Sequence, residues 1–204
     1  MQSPHRDRCN IACLALCLAA LILIVPVSAQ DAVFTVYENG TGYSAVIGIV
    51  DAEEYRFTEP GLLGEAVPIQ ARNISLTDGS GDVVLSADEE SRITFPRGDY
   101  LLFYEGTLSG NSFAAVFSDR HNITVFLPEG YDVRNPLLGY VSQGGKTTVV
   151  DGGLMITWEK TRYADIRYYD ETREVILYAF GTIWIMLMII LLFGYYAMRV
   201  STKE

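Results

Sequence analysis

Side chains able to do chemistry are sparse between residues 30 and 204: there is one histidine, His121, and no cysteine. His121 stands beside Ser118 and Asp119, so the first chemistry to weigh is acyl transfer by a Ser-His-Asp relay. Neighbours along an extended chain point to opposite faces, so these three residues do not make a relay by themselves. His121 therefore reads as an isolated surface imidazole. No Gly-x-Ser-x-Gly elbow is present to supply a nucleophile from elsewhere. Without cysteine there is no thiol nucleophile and no thiolate ligand, and one imidazole is too few for a zinc site. The 23 acidic residues between 30 and 174 include no pair that spacing singles out for glycoside cleavage. No catalytic, cofactor-binding or metal-ligating residue is assigned, and no cofactor is expected.

Three motifs imitate binding sites. Asp78-Gly79-Ser80-Gly81-Asp82 places oxygens at alternate positions, with Glu89 eleven residues after Asp78, as in a calcium loop. Val83 stands where that loop needs glycine, so a Gly-rich hairpin between Ile74–Leu76 and Val83–Leu85 is the expectation. Gly144-Gly145-Lys146-Thr147 resembles the end of a nucleotide loop, but Tyr140 occupies the place of its first glycine. Arg97-Gly98-Asp99 spells an adhesion tripeptide, yet Phe95-Pro96-Arg97-Gly98-Asp99-Tyr100 reads fully as a turn, with Tyr100 packed beneath it. Three of the six asparagines head glycosylation sequons: Asn39-Gly40-Thr41, Asn73-Ile74-Ser75 and Asn122-Ile123-Thr124.

The elements that would carry these residues are strands. Val33–Tyr37 and Tyr43–Val50 are apolar and β-branched around Asn39-Gly40, a hairpin signal. Further strands are expected at 54–58, 72–77, 82–86, 92–95, 100–105, 112–117, 123–127, 138–141, 147–150, 155–158 and 164–169. Their spacing predicts a mainly β fold, an antiparallel sandwich of prealbumin-like or immunoglobulin-like type. The polar break Ser118-Asp119-Arg120-His121 divides residues 30–118, a β-sandwich, from 119–170, which form a second β unit or complete the first sheet.

The two ends say where such a domain would sit. Val175–Met198 are 24 residues without a charge, about 36 Å of helix, enough to cross a hydrocarbon core of about 30 Å. Asp170 is placed to cap this helix, with Glu171 and Glu174 in its first turn. Tyr178 and Tyr195-Tyr196 suit the two membrane interfaces. The tail 199–204 carries Arg199 and Lys203, which favour a cytoplasmic C-terminus and a domain outside. At the other end Arg6 and Arg8, an apolar run from Ile11 to Val25 and Val27-Ser28-Ala29 have the layout of a secretory signal peptide, residues 1–29, either cleaved or retained as a second anchor. All three cysteines, Cys9, Cys13 and Cys17, fall here and read as small apolar filler.

Residues 30–174 carry 11 Lys and Arg against 23 Asp and Glu, a net charge of −12. Such a surface disfavours nucleic acid and anionic headgroups. With sequons but no disulfides, the exported part suits an archaeal or other prokaryotic envelope. Pro96-Arg97-Gly98-Asp99-Tyr100, Val125-Phe126-Leu127-Pro128-Glu129-Gly130 and Arg167-Tyr168-Tyr169-Asp170, followed by one apolar helix, resemble an uncharacterised family of archaeal membrane-anchored β-domain proteins. That resemblance implies no activity and no functional residues. The leading expectation is a single-pass, non-enzymatic interaction or accessory module of the cell envelope, held by its helix and bound to an envelope or membrane protein. The alternatives are an exported hydrolase of envelope glycans or peptides and a cation- or solute-binding receptor subunit.

Overall fold

The computed structural model describes residues 30–201 except 62, 63, 79, 82–85 and 90, and only the backbone of 86–89, 197 and 199–201. The signal-like segment 1–29, the strand expected at 82–86 up to Leu85, and the residues Asp82, Val83 and Lys203 lie outside the described part.

In chain order the strands are β1 (Gln30–Val36), β2 (Gly42–Arg56), β3 (Thr58–Pro60), β4 (Ala66–Pro68), β5 (Arg72–Thr77), β6 (Ser86–Glu89) and β7 (Arg92–Thr107). They continue with β8 (Ser112–Pro128), β9 (Tyr131–Asp132), β10 (Tyr140–Val141), β11 (Lys146–Val150), β12 (Gly153–Arg167) and β13 (Tyr169–Asp170), before helix α1 (Glu171–Ser201). Nine strands form one sheet ordered β10-β12-β8-β1-β2-β7-β5, with β11 also on β12 and β6 on β7. The chain is mainly β with a C-terminal apolar helix, as expected. The sheet is mixed rather than antiparallel, because β1 pairs antiparallel with β2 and parallel with β8. Its order is not clearly that of either expected sandwich.

Four pairs of expected strands are single long ones. β2, β7, β8 and β12 run through places where the composition signals a break. The residues that do not fit are absorbed as bulges: the β2–β7 register shifts on either side of Ala52, and the β8–β12 register shifts on either side of Thr161. Asp51 at φ 52° and Lys160 at φ 51° take the left-handed backbone that lets β2 and β12 bend there. The polar stretch 118–121 lies inside β8, and strands before and after it belong to the same sheet.

These bends turn the sheet over its own core. Phe34 on β1 is the ladder partner of Val125 on one arm of β8. Its ring also meets Phe113 and Phe117 on the other arm, at 4.8 and 6.3 Å between centroids. Tyr43 closes the group, edge-on to Phe34 at 5.8 Å and to Phe113 at 5.2 Å. Ile123, Val125 and Leu127 of β8 and Leu154, Ile156 and Trp158 of β12 alternate inward and are buried. Trp158 donates its indole N–H to the Ser142 carbonyl at 3.3 Å. Burial pushes the Tyr43 phenol up to about 12 and raises Tyr104 and Tyr55 as well.

Helix α1 follows β13 directly. Asp170 accepts from the Arg173 N–H at 2.8 Å, and Glu171 and Glu174 occupy the first turn, as expected. From Glu171 to Tyr196 the helix is long and apolar enough to cross a membrane, and none of its most apolar stretch is buried against the β-domain.

Candidate interaction surface

The residues singled out for chemistry are mostly put to structural use. His121 is not a surface imidazole: it is 5 % exposed, facing inward in phase with Ile123 and Val125. It stacks on Phe117 at 4.0 Å and 23°, and its Nδ1 lies 3.0 Å from the Asp119 carbonyl oxygen. Burial lowers its pKa, with the Asp119 carbonyl, the Asp119 carboxylate and Asp31 working against that shift. Ser118 donates to the Asp119 carboxylate at 3.2 Å, so the three residues make two separate contacts and no relay. The inward phase with Ile123, Val125 and Leu127 was the available signal for a buried histidine; the polar neighbours Ser118 to Arg120 masked it.

His121 lines a cleft of about 560 Å³ between the bends of β2 and β8, together with Gln30, Glu54, Tyr55, Phe117 and Asp119. Glu54 is not a free carboxylate there, being paired with Arg56 at 3.2 Å and Arg92 at 3.9 Å.

The adhesion-like tripeptide is built into the β2 bend. Arg97 donates twice to the Asp51 carboxylate, at 2.7 Å each, and Asp99 accepts the Asp51 N–H at 2.9 Å. Arg97 holds the Asp51 carboxyl below the usual carboxylate range. Tyr100 donates to the Pro96 carbonyl at 2.8 Å, the packing expected of this corner. In the calcium-like loop, Asp78 accepts from the Ser80 N–H at 2.8 Å and from its hydroxyl at 2.6 Å, and these bonds lower its pKa. Lys146 of the nucleotide-like stretch pairs with Glu159 at 2.8 Å.

The sequons differ in the state of their amides. Asn39 is exposed in the β1–β2 turn, where only its oxygen is engaged, accepting from the Thr41 N–H at 3.0 Å and hydroxyl at 2.9 Å. Asn73, at φ 50°, donates its amide to Glu105 at 2.8 Å. Asn122 is tied at both ends, donating to Asp31 at 3.0 Å and accepting the Lys160 N–H at 3.2 Å.

What the sequence did not single out is the outer face of the sheet. Residues opposite one another in a ladder share a face, so the registers place Ser75, Phe103, Val46, Val33, Thr124 and Thr157 in one row across six strands. The adjoining row runs Ser44, Thr35, Phe126, Met155 and Thr148. All are partly or fully exposed, Phe103 by 37 %. The first row ends on β11 at Lys146 and the second continues through Glu105 to Arg72, so ionised side chains stand only at the ends of the rows, with neutral residues between. In a domain of net charge −12 this is a broad neutral surface of apolar and hydroxyl groups. Depletion of charge marks the centre of protein interfaces. The signal was present in strands such as Val33–Tyr37 and Tyr43–Val50, which are apolar on both faces although only one is covered.

No curated protein matches the chain. A family described as being of unknown function, DUF5803, matches it over residues 28–204, the whole β-domain and the helix, and the chain belongs to that family.

Proposed function

We propose that the chain is a single-pass membrane protein whose β-domain stands outside the cell as a non-enzymatic interaction module. On this reading the C-terminus is cytoplasmic and the host envelope is archaeal. The neutral centre of the outer face carries the proposal: a domain this acidic confines charge to the ends of two rows of exposed side chains, with Phe103, Val46, Val33 and Phe126 between them. A protein of the envelope or membrane is the partner such a face suits. Anchoring is supported by the capped apolar helix α1 and by Arg199, which follows its uncharged stretch in the sequence.

The test is a photoreactive phenylalanine analogue at Phe103 in native membranes, with one at exposed Glu53 as the control. Capture of one dominant protein at 103 and not at 53, lost on Val46→Glu, is the expected result. Equal labelling from both sites overturns the interaction reading. A cysteine at Ser201 that reacts from outside intact cells overturns the orientation. The second reading, an exported hydrolase of envelope glycans or peptides, is favoured by the cleft that gathers Glu54, Asp119 and His121. Glycan or peptide turnover abolished by His121→Gln would put it first.

A further inference from the structure

The loop between β9 and β10 and the first turns of α1 enclose a groove of about 800 Å³. Its walls are Leu137 on the loop and Leu177, Tyr178, Gly181 and Ile185 on the helix. Leu137 is 78 % exposed, more than any other large apolar side chain among the described residues. That exposure is not looseness, because the loop is held from several directions. Asn135 donates its N–H to the Tyr169 hydroxyl at 3.1 Å, and its side-chain oxygen accepts the Leu137 N–H at 3.1 Å. The Asn135 carbonyl accepts from Leu138 at 3.1 Å and Gly139 at 2.7 Å. Gly139 lies where any Cβ would run into the Val133 backbone. The chain thus commits conformational entropy to holding a leucine out into solvent.

The depth of the groove indicates what meets that leucine. Ile185 lies eleven residues beyond Glu174, about 16 Å along the helix axis. If Val175–Met198 crosses the bilayer, the lower part of the groove lies in the hydrocarbon and Leu137 beside its upper edge. We infer that the tip Pro136–Leu137 dips into the outer leaflet and that a lipid hydrocarbon chain fills the groove, resting the β-domain on the membrane. This rests on the anchoring reading above.

The groove is continuous with the lipid-facing surface of α1, so a chain already against the helix needs no separate route in. The charges at its mouth select hydrocarbon rather than headgroup. Burial pushes the Asp132 carboxyl up, but Arg134 and two backbone N–H groups outweigh it and hold it low. Arg134 binds Asp132 at 2.6–3.0 Å, and Glu174 stands alongside, so no net positive charge awaits an anionic headgroup.

The test uses the full chain with Cys9, Cys13 and Cys17 changed to Ala and one new cysteine carrying an environment-sensitive fluorophore. The protein is placed in neutral phosphatidylcholine vesicles whose acyl chains bear nitroxide quenchers near the headgroup end. With Leu137→Cys, at least twofold quenching is expected; Thr182→Cys should be quenched as well, and Glu53→Cys should not. Quenching at 182 with none at 137 overturns the inference and leaves the anchor standing. No quenching at either site overturns the anchor itself. A label at 137 that is blue-shifted yet shielded from the quencher shows a protein helix in the groove and also overturns the lipid assignment.

Discussion

Phe34→Ala tests whether residues 30–170 fold as one unit. Phe34 is 1 % exposed, and its ring partners Tyr43, Phe113 and Phe117 all precede the polar stretch at 118–121. Truncating a buried phenylalanine costs about 3–5 kcal/mol, which includes the lost ring contacts. Residues 30–174 number 145, so at roughly 2.1 cal/mol/K per residue the unfolding entropy is about 0.3 kcal/mol/K. The expected fall in Tm is therefore about 10–16 °C. The reporter is Trp158, the only tryptophan in that segment and buried on the far side of the polar stretch. Because β1 pairs with β2 on one edge and with residues 121–126 of β8 on the other, the loss must be felt at Trp158. Tyrosine near-ultraviolet circular dichroism and tryptophan fluorescence should shift together in one transition. A Trp158 transition that stays at the wild-type temperature while the tyrosine signal drops would refute the reasoning, since it would make 119–170 a unit of its own.

Between pH 7 and 5, stability should fall, because the unfolded chain takes up a proton at His121 near pH 6.5 while burial lowers the folded pKa. His121→Phe, which keeps the stack on Phe117, should flatten that part of the urea-midpoint profile; an unchanged slope counts against a buried neutral imidazole. Gly153→Ala should destabilise by more than Gly110→Ala: both have positive φ, but only at 153 does a Cβ strike the Leu127 carbonyl, whereas 110 has open space. Gly110→Ala should cost about 1–2 kcal/mol for its left-handed backbone alone, and equal denaturation midpoints would contradict the contact. If the native host glycosylates the chain, Asn39→Gln should remove mass from the mature protein and Asn122→Gln should not, because both ends of the Asn122 amide are already bonded.

Much of the fold was legible because strand signals are local. Val33–Tyr37, Tyr43–Val50 and Arg72–Thr77 each carry β-branched and aromatic residues between turn formers, and strands stand at all three. The helix start was legible for the same reason, since Asp170 and the two glutamates act within one turn. Pairing was not legible. Nothing in Gln30–Val36 announces a parallel neighbour 91 residues away, although the Asn122–Asp31 bond fixes one. The expected breaks failed where a bulge can hide a turn-like residue: Asp51 and Lys160 look like ends of strands, but each only bends one. The β3–β4 hairpin was missed because Glu59-Pro60 and Pro68 read as loop, and proline is tolerated on so short and peripheral a pair.

The candidate surface is not marked in the sequence by the ionisable groups that make motifs conspicuous. Arg97 and Asp99 are spent on Asp51, Asp78 on Ser80, Lys146 on Glu159, and Asp132 on Arg134. Each of these motifs is short-range in effect: it fixes a bend or a turn, and once paired it has little left to offer a ligand. Exposed pairs of this kind contribute little stability, so they are better understood as setting local geometry. Beside these paired motifs stand exposed apolar groups, Phe103, Val46 and Val33 on the outer face and Leu137 at the base of the domain. An acidic domain repels its own copies through the rest of its surface, and a neutral face is where a partner can approach without opposing that charge. Substituting one glutamate at Val46 places a buried charge at the centre of such an interface, where its desolvation is uncompensated. It should therefore weaken partner capture far more than a second glutamate added at the already charged edge beside Glu105, and equal effects at the two positions would remove the face from consideration.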